Sequence, residues 1–122
     1  MNTKAIVLCL ALAAVASNAF AKPVNNPPIA GSDVIKCFPG AIASTLVSGA
    51  KSVLANDLDP EGDAIGASVF TLASHGTITL QPDGTFVYHN ADPSNSSDVF
   101  TYYACDTSNA CSVGTVNIVI GF

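Results

Sequence analysis

Apolar and β-branched residues recur along the chain in runs of strand length, separated by Gly, Pro, Asn, Asp or Ser, and no stretch sustains a helical period. This pattern predicts strands over Ile29 to Cys37, Ala43 to Leu54 with a break at Ser48-Gly49, Ala64 to Leu72 and Gly76 to Leu80, followed by Thr85 to His89, Val99 to Cys105 and Ser112 to Ile120. Gln81-Pro82-Asp83-Gly84 supplies a tight turn between two of them, which predicts a hairpin. In the last pair, Phe100, Tyr102 and Ala104 alternate with more polar positions, as do Val116, Ile118 and Ile120, so each strand turns one apolar face toward an opposing sheet. Seven strands of this kind predict an all-β sandwich over residues 29–122. Ahead of it, Val24-Asn25-Asn26-Pro27-Pro28 reads as an extended lead-in spanning residues 22–28, because proline fixes φ and drives its predecessor out of the helical region.

The first 21 residues follow a different rule. Lys4 precedes an apolar stretch from Ala5 to Ala16, and Ala19-Phe20-Ala21 offers a small-x-small cleavage pattern, so residues 1–21 are expected to be a signal peptide cleaved before Lys22. Nothing later in the chain is apolar for long enough to span a membrane. The expected mature chain keeps three lysines, no arginine and all nine acids. Such a balance excludes nucleic acid and anionic lipid as partners, since both are held through Lys and Arg. The expected location is secreted, periplasmic or at the cell surface.

Strand parity also bears on the cysteines. Cys105 and Cys111 flank Asp106-Thr107-Ser108-Asn109-Ala110 on the face opposite the core residues, which predicts a disulfide at the tip of the last hairpin in an oxidising compartment. Cys37 is left over, either buried near the end of the first strand or available for a bond between molecules.

Charge is concentrated in one place. Asp57, Asp59, Glu61 and Asp63 fall within Asn56-Asp57-Leu58-Asp59-Pro60-Glu61-Gly62-Asp63, where oxygen ligands alternate with spacers and Pro and Gly bend the loop. Hard, oxygen-seeking ions such as calcium are held in this way, and a solvated acidic turn is the competing reading. An EF-hand is excluded, because the closing bidentate Glu would fall at Ser68 and the flanks are strands. Without His or Cys the cluster does not suit a transition metal. His75 and His89 are the only histidines, and neither sits in a nucleophile or metal-ligand spacing, so no catalytic residues are expected.

Asn26-Pro27-Pro28-Ile29-Ala30, Val53 through Asp63, His75-Gly76-Thr77-Ile78-Thr79-Leu80, Pro82 through Tyr88 and Asp98-Val99-Phe100-Thr101-Tyr102 occur in an order that carries a resemblance. The chain resembles one copy of the cadherin-like, bacterial immunoglobulin-like repeats found in tandem in large secreted adhesins. The resemblance implies an all-β, seven-stranded Greek-key β-sandwich, immunoglobulin/cadherin-like, with a structural, non-enzymatic role and calcium near the junctions between copies. In such a sandwich the acidic loop, the last hairpin and the start of the first strand share a pole, which adds Asp33 and Asp106 to Asn56, Asp57, Asp59, Glu61 and Asp63 as expected ligands. The chain departs from the family in holding a single copy, in having only Asp33 after the Pro-Pro element, and in replacing a Gly-rich final loop by the Cys-flanked turn. Two functions follow as expectations. One is an exported module binding an extracellular protein or glycan; the other is a self-associating subunit, linked through Cys37 or through a sheet edge that accepts residues 22–28 of a neighbour.

Overall fold

The computed structural model describes residues 24–122, so the expected signal peptide over 1–21 and the first two residues of the lead-in lie outside the described part. Seven strands follow: β1 (Ser32–Cys37), β2 (Ile42–Ala43), β3 (Gly66–Thr71), β4 (Gly76–Leu80), β5 (Phe86–Asn90), β6 (Ser97–Cys105) and β7 (Cys111–Ile120). They form two facing sheets, one in the order β1-β7-β6-β3 and the other β2-β5-β4. All pairings are antiparallel except β1 with β7, which run parallel from Ser32 beside Thr115 to Cys37 beside Ile120. No helix among the described residues is long and apolar enough to cross a membrane.

Alternation places the core where the sequence pattern predicts it. Phe100, Tyr102 and Ala104 of β6 and Val116, Ile118 and Ile120 of β7 are buried, and Ile35, Cys37, Phe86 and Tyr88 meet them from the other strands. Phe100 lies opposite Val116, and Tyr102 lies opposite Gly114. The glycine is required by that pairing: a Cβ at position 114 would overlap the Tyr102 ring.

One expectation changes form. The strand expected over 43–54 is realised only as the two-residue β2, followed by turns and two isolated bridges, Ile35 with Leu46 and Ser52 with Thr85. The reason is local. Gly49 sits at φ 93°, its N–H donates to Leu46 O, and Leu46 N–H donates to Ala50 O, so a tight turn consumes groups a ladder would need. Leu46 and Val53 still reach the core as single anchors.

Each of the two buried tyrosines ends on a carboxylate. Tyr88 donates to Asp98 Oδ2 over 2.8 Å, and Asp98 also accepts from the N–H groups of Ser74, His75 and Val99 at 3.0, 3.0 and 2.8 Å. Burial works to raise the Asp98 carboxyl, but these donors together hold it below its ordinary value. Tyr88 is itself pushed up to about 12, chiefly by burial. Tyr102 performs the corresponding role toward the other pole, where its hydroxyl meets Asp57.

Gly114→Ala is expected to destabilise the domain by roughly 2 kcal/mol or more, because Tyr102 is held at its hydroxyl and cannot tilt away from the added methyl. Urea unfolding checks this, with a lower midpoint at unchanged slope as the expected result.

Candidate metal centre

The segment from Val53 to Asp63 crosses from one sheet to the other, and its backbone is organised by its own side chains. Asp59 Oδ2 accepts from Glu61 N–H at 3.0 Å and Asp63 N–H at 2.9 Å, while Gly62, at φ 77°, donates to Asp59 O. The loop therefore curls around the Asp59 carboxylate. Across from it, Asp106 fixes the β6–β7 turn by accepting at Oδ1 from Ser108 N–H (2.8 Å) and Ala110 N–H (3.0 Å), and Asn109 takes the left-handed conformation that closes the turn. Cys105 and Cys111 are directly opposed at the base of this turn and form a disulfide. It ties the strand ends that present Asp106 to the acidic loop.

These two turns bring Asp59, Glu61, Asp63 and Asp106 together, each offering an oxygen within 4.8 Å of the others. Two unit charges at such a distance repel by roughly 1 kcal/mol in water and by several times that where burial lowers the effective dielectric. No lysine or arginine relieves them: the one ion pair among the described residues joins His75 Nδ1 to Asp92 Oδ2 at 3.1 Å, elsewhere on the molecule. Desolvation, followed by the charges of Asp59, Asp106 and Glu61, raises the Asp63 carboxyl. Asp106 is lowered instead, first by the Asn25 amide that donates to its Oδ2 over 2.8 Å.

Asp59 is 5% exposed, and its Oδ1 has no hydrogen-bond partner. A buried acceptor without a donor costs about 1–3 kcal/mol, more when charged. The donor set is four carboxylates with neither nitrogen nor sulfur, which suits calcium, magnesium or manganese, and a bending loop of Asp, Glu and Gly suits the flexible geometry of calcium best. The residues present thus fit a hard divalent cation.

The remaining expected ligands lie apart from that group. Asp57 accepts at Oδ1 from Gly31 N–H over 2.8 Å and at Oδ2 from the Tyr102 hydroxyl over 2.7 Å, so its oxygens are used in joining the lead-in to the core. Asn56 Nδ2 donates to Ser32 O at 3.1 Å, and its side chain packs against Gly31. Asp33 is buried beside the Tyr102 hydroxyl, 3.4 Å from its Oδ2. Two residues absent from the expected set take part. Asn26 donates through its backbone N–H and its Nδ2 to the two oxygens of Glu61, at 3.0 and 2.8 Å, and Asn25 reaches Asp106. The Asn-Asn pair directly before Pro-Pro was the available signal, since a rigid extended segment can deliver two amides to one place.

Cys37 is buried, with Sγ 3.3 Å from both Phe38 O and Ala41 O, and burial pushes its thiol up. His89 is exposed on β5.

Two facing sheets of seven strands with a parallel β1–β7 edge define an immunoglobulin-like sandwich. A sequence model for the bacterial Ig domain matches residues 25–119, and the chain belongs to that family. Similar solved structures include a nucleoside hydrolase-related hypothetical protein from Saccharophagus degradans, associated with carbohydrate metabolism (16% identity, 80% of this chain and 26% of that one, TM-score 0.49). The third cadherin domain of human protocadherin 7 is another (15% identity, 83% and 91%, TM-score 0.48), as is the human desmocollin-1 ectodomain (14% identity, 78% and 20%, TM-score 0.46). The chain spans about a quarter of the Saccharophagus protein and nearly all of the protocadherin domain. No curated protein matches it.

Asp33 generates a pH prediction. Burial, and then the charge of Asp57, raise its carboxyl to about 6. A carboxyl raised in the folded state contributes stability that is fully present below the unfolded value near 4 and is lost as pH rises through about 6. In calcium-free buffer, Asp33→Asn is therefore expected to stabilise the domain at neutral pH by on the order of 1–3 kcal/mol relative to the parent. The advantage should shrink toward zero near pH 4, measured by thermal unfolding across that window.

Proposed function

We propose that the chain is an exported, non-enzymatic immunoglobulin-like module, stabilised by calcium at its acidic pole and acting in extracellular binding or adhesion. One observation carries the reading: the buried, unpartnered Asp59 Oδ1 within a group of four carboxylates that no positive side chain neutralises. Asp59, Glu61, Asp63 and Asp106 would hold the ion, which supplies the missing positive charge. Because Asn25 and Asn26 bind two of those same carboxylates, neutralising the pole also orders the lead-in. Family membership, the disulfide and the acidic balance support export and a surface setting. The partner class these features favour is a protein or glycan, met by a domain whose pole has been made rigid.

Self-association through Cys37 is disfavoured by its burial. Association through a sheet edge would use β4, which pairs only with β5 and leaves its outer backbone groups open.

With a dissociation constant near 1 mM, in the range of extracellular modules, about 10 mM calcium stabilises by about 1.4 kcal/mol. That corresponds to a rise in Tm of roughly 6–11 °C. The double variant Asp59→Asn, Asp63→Asn is expected to lose the rise while remaining folded, because the side-chain amide oxygen introduced in place of the Asp59 carboxylate can still accept the two loop N–H groups. A parent protein indifferent to calcium and to chelator in differential scanning calorimetry would remove the reading. A rise that survives in the double variant would move the ion elsewhere.

A further inference from the structure

Position 33 belongs to the inward series of β1, in line with Ile35 and Cys37, yet it carries a carboxylate that is 5% exposed. A charge in such a place is costly unless paired. The Tyr102 hydroxyl has one proton and gives it to Asp57 over 2.7 Å, leaving Asp33 Oδ2 at 3.4 Å, and the other hydrogen-bonding neighbour of Asp33, the Asn56 side chain, is neutral. No basic side chain of the described residues pairs with it. Beside this carboxylate a cleft of about 370 Å³ opens between β1 and the 46–56 segment. Its walls include Val34, Leu46, Val47 and Ala55, and its polar lining includes Asp33 and Asn56. Leu46 is buried, whereas Val34 and Val47 are exposed at the rim.

A metal ion does not match these walls, because calcium takes six to eight oxygens, whereas Asp33 is the one carboxylate of this lining and Val34, Leu46, Val47 and Ala55 form its apolar walls. A ligand with a short alkyl chain ending in a compact positive charge matches both parts: methylenes lie along Leu46 and the valines, and an ammonium reaches the carboxylate. From these juxtapositions we infer that the cleft beside β1 binds a primary alkylammonium group, with Asp33 as its counter-charge. The chemistry is that of a lysine side chain on a partner protein or of a free aliphatic amine. The acidic balance of the chain draws such cations toward it. The site is separate from the four carboxylates of the metal centre and does not depend on them.

Titration of the full chain with n-pentylammonium in calcium-free buffer at neutral pH, followed by amide chemical shifts, tests this. The expected result is a saturating perturbation confined to residues 32–34 and 46–56, weakened about tenfold or more in Asp33→Asn. Pentanol, the same chain without charge, should give no saturating shift. A lysine-containing peptide that binds more tightly than pentylammonium identifies a protein side chain as the source, and equal or tighter binding of the free amine identifies a small molecule. Val47→Trp, which blocks the exposed rim and leaves Asp33 in place, is expected to abolish binding and serves if Asp33→Asn fails to fold. Absence of saturation with both amines, an equal response to pentanol, or undiminished binding in either folded variant overturns the proposal.

Discussion

The hydrogen bond from Tyr102 to Asp57 is the constraint on which the acidic pole depends. Tyr102 is a fully buried residue of the central strand β6, and its ring fills the space over Gly114. A tyrosine hydroxyl in such a core needs an acceptor, and the acceptor comes from the crossing loop rather than from either sheet. Because the other oxygen of Asp57 receives Gly31 N–H, one carboxylate joins core, crossing loop and lead-in. Burial, and then the neighbouring Asp57, push the tyrosine hydroxyl far up, so it remains a donor throughout the physiological range.

Once Asp57 is committed to the core, the loop beyond it has its direction set. Leu58 pairs with Ile29 through two backbone hydrogen bonds, at 2.7 and 3.0 Å, and the next residue, Asp59, turns inward. The lead-in is held to the same pole by a chain of contacts: Ser112 Oγ donates to Pro28 O, Asn26 grips Glu61 and Asn25 grips Asp106. The pole is thus a convergence of three segments far apart in sequence, each attached by polar groups.

Much of this was legible in the sequence, and the limits have a physical reason. Period-two alternation in β6 and β7 gave the core faces, the pairing of Cys105 with Cys111 and the position of Asp106 in the final turn, because side-chain direction in a strand follows parity. The strand over 43–54 was not legible as the turn it became, since Ser, Ala and Val satisfy a strand pattern while Gly49 redirects the backbone. At the pole, residue type identified the acids but could not divide them. Asp57 and Asp59 are two positions apart in one loop, and only the location of the Tyr102 hydroxyl decides that the first serves the core and the second faces Asp106. The partners of Asn25 and Asn26 were hidden for the same reason: an amide in an extended segment acquires a role only when another segment arrives beside it.

Comparison among the buried aspartates separates structure from function within one molecule. Asp98 is buried and accepts from Tyr88 and from the N–H groups of Ser74, His75 and Val99, and its carboxyl is lowered as a result. The fold is therefore able to satisfy a buried carboxylate where it uses one as a strut. Asp59 and Asp33 are equally buried and are less well met, the first with an orphaned oxygen and the second with only the shared Tyr102 hydroxyl and the neutral Asn56 side chain. An unmet acceptor beside a group of like charges, and a carboxylate met only by neutral donors beside a cleft, are the positions where this sandwich gives up stability in the free state, and at neither does a positive side chain of the described residues form an ion pair.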